Sequence, residues 1–291
     1  MERRRRPATS GAILVLLLSG IEGGKSLVLP FKLWLRSILA STYHTLYRLS
    51  LPIRWWLADK KSRQTDLDLQ LPPAKLRFRV TESTDPAAFS RIGEEASKNL
   101  QAVLGEAGYS LENFAHVLDF GCGCGRTLIW LRKQYPVIDW AGTDVDFEAI
   151  DWCRDHLSGS TFTTNSPWPP LPFPDHRFDL IYGISVFTHL NEQHQRAWIP
   201  EFFRVLQPGG LLLLTFYSEQ VWRTRRGAQE VESRGFAFRT SAKLKGVLPE
   251  WYQTAFQTQS NMMAMVASHF SVLKMIPGGF GSHDVIIAQR E

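Results

Sequence analysis

The chain has 291 residues, of which 44% are hydrophobic, 21% charged and 12% aromatic. That balance excludes a disordered or collagen-like chain, and the length suits one or two domains with a sizeable core. Net charge is +5, yet residues 1–63 carry 12 Lys/Arg against 3 Asp/Glu, a net of +9, while residues 64–291 carry 21 against 25, a net of −4. The basic character therefore belongs to an N-terminal extension, and the mildly acidic body has no nucleic-acid footprint. The 3 cysteines, Cys122, Cys124 and Cys153, are too few and too clustered for a disulfide framework, so a reducing compartment is expected.

In chain order, Arg3 to Arg6 precede an uncharged apolar stretch at 11–21, whose 11 residues fall short of the ~20 that a spanning helix needs. The pair looks like the n-region and h-region of a secretory signal, but no small-x-small cleavage site follows, and export is disfavoured. Residues 20–26 end in Gly-Lys-Ser with three residues between Gly20 and Gly24, one fewer than a phosphate-binding loop requires. The segment 27–57 mixes leucines with Lys32, Arg36, Arg48, Arg54 and Trp34, Trp55, Trp56, and Pro30 and Pro52 bracket its expected helix. Such a pattern suits a helix lying at an anionic membrane surface, and equally a cover over the body or over a second protomer. The domain expectation is an extension at 1–63 and a folded body at 64–291.

After Leu71-Pro72-Pro73 the pattern becomes regular. Asp85 is the expected N-cap, with Pro86 at the first position, of a helix running to about residue 108. Strands are predicted at 116–120, 138–143, 178–182 and 211–216, alternating with helices at 127–134, 147–156 and 192–206. Alternation of this kind means a doubly wound α/β fold with a mostly parallel sheet covered on both faces. Residues 270–276 and 284–288, joined by a turn-rich stretch, are expected to form an antiparallel hairpin at the sheet edge.

The strongest signal is Asp119-Phe120-Gly121-Cys122-Gly123-Cys124-Gly125-Arg126, a glycine-rich turn between a buried strand and a helix. Glycines let the backbone approach a ligand, and the loop lies where strands of such sheets end. The spacing is G-x-G-x-G, not the G-x-G-x-x-G of dinucleotide sites, and Asp144 follows 19 residues after Gly125. An acid before the loop and one after the second strand suit a nucleoside with an amino-acid tail, while a nicotinamide dinucleotide remains the rival. Asp144 could also be a plain helix N-cap. Cys122 and Cys124 lack metal-site spacing and a second pair, so no metal is expected.

With Asp119 to Gly125 stand Thr143-Asp144-Val145-Asp146, Leu171-Pro172-Phe173-Pro174-Asp175 before Phe178-Asp179-Leu180-Ile181, and Val205-Leu206-Gln207-Pro208-Gly209-Gly210-Leu211. In this order, over residues 85–291, they resemble the class I S-adenosylmethionine-dependent methyltransferases, in their small-molecule branch. The resemblance implies a Rossmann-like methyltransferase fold and S-adenosyl-L-methionine as methyl donor. It places Asp119, Gly121, Cys122, Gly123 and Gly125 around the methionine moiety, Asp144 on the ribose hydroxyls and Val145 on the adenine. Asn165 stands where the family often has Asp, and its carbonyl oxygen could accept from the adenine amino group. Ile184 and Ser185 would flank the methionine end and face the acceptor.

His189, after the fourth predicted strand, is the expected general base, with a packing or capping histidine as the equal alternative. His283 is a second candidate, and its neighbour Asp284 points the other way along a strand. The Asn/Asp-Pro-Pro-Tyr/Phe motif of base amino-methylation is absent after that strand. Residues 219–260 read as an insertion on the acceptor side, with Arg223, Arg225, Arg226, Phe236, Phe238, Trp251, Tyr252 and Phe256. With Phe187 to Leu190 and Gly281 to Val285, its 248–256 segment resembles bacterial methyltransferases of glycan or cell-surface biosynthesis. The expected activity is O-methylation of a small, glycan or lipid-linked acceptor at the cytoplasmic membrane face. The alternatives are a soluble metabolite as acceptor, or a donor-binding module without catalysis.

Overall fold

The structure is a computed structural model that describes residues 42, 45–47, 49–61, 70–223, 234–239 and 253–291. The chain divides into a unit at Met1–Leu49 and one at Ser50–Glu291, and the second carries the sheet. The arginine run at 3–6, the apolar stretch at 11–21 and most of the 27–57 segment lie outside the described residues, as do Arg225, Arg226, Trp251 and Tyr252 of the insertion.

Helix α1 (Ala74–Thr81) follows Pro73, and α2 (Pro86–Glu106) begins where Asp85 accepts a hydrogen bond from the Ala87 N–H. Proline at the first position forgoes an N–H that has no helical partner anyway. Phe89, Gly93, Ala96, Leu100, Val103 and Leu104 recur at helical spacing and form the buried face of α2.

The sheet then assembles by alternation. β1 (His116–Phe120), α3 (Leu128–Gln134), β2 (Asp139–Asp144), α4 (Phe147–His156) and β3 (Thr161–Thr164) make its first half. β4 (Phe178–Gly183), α5 (Glu192–Val205) and β5 (Leu206–Phe216) make the second. The spatial order is β3-β2-β1-β4-β5-β9-β8, where β8 (Ser271–Phe280) and β9 (His283–Gln289) form the expected hairpin and β9 runs antiparallel to β5. The first five strands pair in parallel.

Strand side chains alternate between the two faces. Val117, Leu180, Leu211, Leu213 and Ile287 pack with the α2 face in one core. Leu118, Ile181, Leu212, Leu214 and Ile286 pack with Trp198 and Phe202 of α5 in the other. The run Leu211 to Leu214 has no polar alternation because both of its faces are covered.

Several elements differ from the sequence expectation. β5 begins at Leu206, since Phe178 pairs with Leu206 across a register irregularity before Leu180 meets Leu211. β3 is short and threonine-rich, too weak a pattern to stand out. Within the insertion, α6 (Glu219–Arg223) precedes a separate antiparallel pair, β6 (Phe236–Arg239) with β7 (Thr254–Gln257), over a small core of Trp222, Ala237 and Phe256. Helix α7 (Gln259–Val266) follows, its N-cap Thr258 accepting from the Asn261 N–H. Among the described residues, no helix is long and apolar enough to cross a membrane.

Candidate functional site

Strand order reverses between β1 and β4, and such a switch point opens a crevice at the carboxyl ends of the strands. A cleft of about 460 Å³ occupies that place, within the usual range for small-molecule sites. It is lined by Gly121, Gly123, Asp144, Val145, Asn165, Ile184, Ser185 and His189 among the residues read from sequence. A small adjoining void reaches Asp119 and Cys122.

The loop after β1 is locked to the end of β2. The N–H groups of Gly121 and Cys122 both donate to the Thr143 carbonyl, at 2.7 and 3.1 Å, and the Gly123 N–H donates to Asp144 Oδ2 at 2.8 Å. Gly121 has φ +77°, and a Cβ there would sit 2.2 Å from Val186 Cγ2. Gly123 has φ +54°, and its Cβ would sit 2.6 Å from Val80 Cγ1. Both positions need the left-handed region and the missing side chain together. Gly125 lies behind the loop, where a Cβ would meet Leu157 at the C-cap of α4, and it does not line the cleft.

Asp144 Oδ1 also accepts from the Asp146 N–H at 2.9 Å. The cap of α4 is Asp146, whose side chain accepts from Ala149, so Asp144 is not the helix N-cap. Two backbone hydrogen bonds leave acceptor capacity on both Asp144 oxygens. Burial pushes the Asp144 carboxyl up to about 6, against the N–H groups of Asp146 and Gly123. Asp119, fully buried at the end of β1, is pushed up to about 7 by burial, with the Tyr182 hydroxyl and Arg126 opposing the shift.

Asn165 is also engaged. Its Oδ1 accepts from the Thr143 hydroxyl at 2.6 Å, and its Nδ2 donates to the Ser166 carbonyl at 2.7 Å. One lone pair on Oδ1 remains for a ligand. Val145, the exposed Phe147, Pro167 and Trp198 give this end of the cleft apolar walls.

Sequence reasoning missed the charged rim. Arg79 of α1 contacts both Asp146 oxygens at 2.9 and 2.7 Å and pairs with Glu148 at 2.7 Å, and Lys75 also pairs with Glu148 at 2.7 Å. These contacts join segments some 70 residues apart, so no local pattern announced them.

At the other end, Ser185 has φ +62°, a conformation that costs a non-glycine residue on the order of 1 kcal/mol. Its N–H donates to Thr215 Oγ1 at 2.7 Å, and its carbonyl accepts from Thr188 Oγ1 at 2.7 Å. Ser185 Oγ lies 3.1 Å from His283 Nε2, so the structure brings these two predicted residues together. His283 does not itself line the cleft. His189 does, and its Nδ1 donates to the Gln253 carbonyl at 2.7 Å. Burial pushes the His189 imidazole down to about 4, with His283 adding to the shift, so the ring is neutral near pH 7. Asp284 faces away, accepting from Gln259 and the Gly278 N–H.

The three cysteines are free and buried, and among the described residues no group of three His, Cys, Asp or Glu side chains could hold a metal. The donor set instead fits an uncharged sugar and an amino-acid tail: a carboxylate with spare lone pairs, a backbone cradle that any Cβ would fill, and flat apolar walls.

Comparison with known proteins agrees with this geometry. Residues 117–210 match the family described as "Methyltransferase domain". A trans-aconitate 2-methyltransferase of Delftia acidovorans is 28% identical over 151 residues, covering 51% of this chain and 54% of that protein. A fatty-acid O-methyltransferase of Mycolicibacterium smegmatis is 25% identical over 160 residues, covering 54% and 48%. The chain thus spans about half the length of these curated relatives. The crystal structure of the PH0226 protein of Pyrococcus horikoshii shares the fold, with a TM-score of 0.50 and 16% identity over 67% of this chain and 90% of that one. Over residues 117–210, then, the chain is similar to a methyltransferase domain, and its curated relatives are methyltransferases.

Proposed function

We propose that the protein transfers a methyl group from S-adenosylmethionine to an oxygen atom of a small, glycan or lipid-linked acceptor. The observation that carries this reading is the join between Gly123 N–H and Asp144 at the floor of the cleft. It sets the glycine loop beside a carboxylate with spare acceptor capacity at the switch point, which supports a ribose-binding role for Asp144. Asp144 would hold the ribose hydroxyls, Val145 the adenine face, and Asn165 the adenine amino group through its remaining lone pair. Asp119 and the Gly121 to Gly123 backbone would surround the amino-acid tail, with Gly125 shaping the turn from behind and Cys122 filling it. Ile184 and Ser185 would separate the donor from the acceptor.

Bound there, the sulfonium donor supplies an electrophilic methyl group. The chain's part is to orient donor and acceptor, to exclude water and to handle a proton. His189 lines the acceptor end as a neutral imidazole whose Nδ1–H is engaged, so Nε2 carries the lone pair. One curated relative, a fatty-acid O-methyltransferase, supports oxygen as the methylated atom, whereas the phosphoethanolamine relatives are N-methyltransferases.

A lipid-linked acceptor is supported by a second observation. In the helical stretch at 49–61, Ile53, Trp56 and Leu57 are exposed, and Lys60 Nζ sits 3.9 Å from the Trp56 ring centre. An apolar stripe with an aromatic and a lysine beside it suits a headgroup layer. Flotation of the full chain with phosphatidylglycerol vesicles tests this, and a protein that stays behind at low salt refutes it.

Transfer itself is tested with methyl-labelled S-adenosylmethionine and a lipid and metabolite extract of the source organism. Label entering a product through an oxygen–methyl bond supports the reading. A full chain that binds the donor and yields no labelled product overturns it.

A further inference from the structure

We propose that Ser185 and His283 form a proton relay that accepts the proton of the acceptor, and hence that the methylated group is a neutral hydroxyl, not a carboxylate. The inference rests on the transferase reading above and names its acceptor class.

Three observations carry it. Ser185 lines the cleft, on the acceptor side, and holds a left-handed backbone that fixes where its hydroxyl can reach. That hydroxyl is 3.1 Å from His283 Nε2. His283 Nδ1 is 3.2 Å from the Phe280 carbonyl, which can only accept, so Nδ1 carries the hydrogen and Nε2 accepts from Ser185 Oγ–H. The ring is further fixed by stacking on Tyr217, with centres 4.5 Å apart and planes 18° apart. The result is a chain from the cleft through a hydroxyl and an oriented imidazole to a backbone carbonyl. A carboxylate acceptor has no proton to lose and would need none of it.

In the step, the acceptor oxygen bonds the methyl carbon as the carbon–sulfur bond breaks, and sulfur keeps that electron pair as a neutral thioether. The acceptor proton passes to Ser185 Oγ while the Ser185 proton passes to His283 Nε2. The imidazolium keeps its Nδ1–H donated to Phe280 and later releases the extra proton to water. The groups facing the ring are Tyr217 after β5, Arg126 after β1 and His189 after β4, while the adjacent Asp284 turns away and acts only through its charge. Burial and Arg126 hold the ring below the ordinary histidine value, with the Phe280 carbonyl and Asp284 opposing. Discharge is therefore easy near neutral pH.

The test compares wild type with His283→Gln and Ser185→Gly, using the labelled donor at saturation and the same extract. Glycine relieves the strained φ, so loss of turnover in Ser185→Gly cannot be blamed on backbone strain. Turnover should fall on the order of 100-fold in both variants. His283→Gln should keep its donor affinity by calorimetry, and the acid limb of the wild-type kcat profile, lying below the ordinary histidine range, should vanish. The labelled product should survive mild alkali, as a methyl ether does. Variants that keep turnover within twofold, or a product released by alkali as an ester is, overturn the relay and leave the transferase reading standing. Donor binding without any transfer by wild type overturns both.

Discussion

The two ends of the cleft are built from different material. The end proposed for the donor is drawn from one stretch, Asp119 to Asn165, and held by backbone: the Gly121, Cys122 and Gly123 N–H groups meet the end of β2 directly. The end proposed for the acceptor is held by side-chain contacts from far apart, with Ser185 bonded to Thr215 and His283 at separations of 30 and 98 residues, and His189 bonded to the Gln253 carbonyl at 64. A backbone cradle fixes one ligand shape. An assembly drawn from β5, β9 and the residue before β7 can be altered without disturbing that cradle, so we propose the donor end as common machinery and the acceptor end as the seat of specificity.

If that contrast is right, damage at the donor end should abolish binding, and damage at the acceptor end should spare it. Gly121→Val should have the largest effect, at least 100-fold weaker donor binding by calorimetry. It places a β-branched residue at φ +77° and against Val186. Asp144→Ala should weaken donor binding about 10- to 100-fold in a protein that still folds, through loss of two charge-assisted hydrogen bonds. His189→Ala should lower turnover about 10-fold at saturating donor while affinity holds, since the residue is bonded to Gln253 and is proposed to face the acceptor. Equal loss of affinity in His189→Ala would erase the distinction between the two ends.

The smallest effect concerns stability. Asp119 is raised to about 7, above the ordinary carboxyl value, so the folded state binds its proton more tightly than the unfolded chain does. Its contribution therefore falls as pH rises through about 7. Asp119→Asn removes that penalty and should raise the thermal midpoint at pH 8 by a few degrees, about 1 kcal/mol, with the gain fading by pH 5. Scanning calorimetry at both pH values checks the sign.

The same contrast explains what could be read in advance. β1, α4 and the C-terminal hairpin were legible because apolar runs, caps and glycines are local signals. Asp144 and the glycine loop were legible because their chemistry is carried by spacing along the chain. The Ser185–His283 bond was not, although both residues stood out singly, because only the β5–β9 pairing brings Thr215 and Val285, two residues from His283, to the same register. The Arg79 rim was hidden for the same reason, and β3 because Thr161 to Thr164 has no marked hydrophobic rhythm. The engagement of Asn165 with Thr143 needed coordinates, because the two residues lie on neighbouring strand ends 22 positions apart.

The most direct test is titration of S-adenosylmethionine, and of its demethylated product, into the full chain between pH 5 and pH 8. Saturable one-to-one binding is predicted, strengthening as pH rises through about 6, where Asp144 ionises, and flattening above about 7, where Asp119 has done so. Absence of saturable binding to a folded chain at every pH would contradict the account at its base.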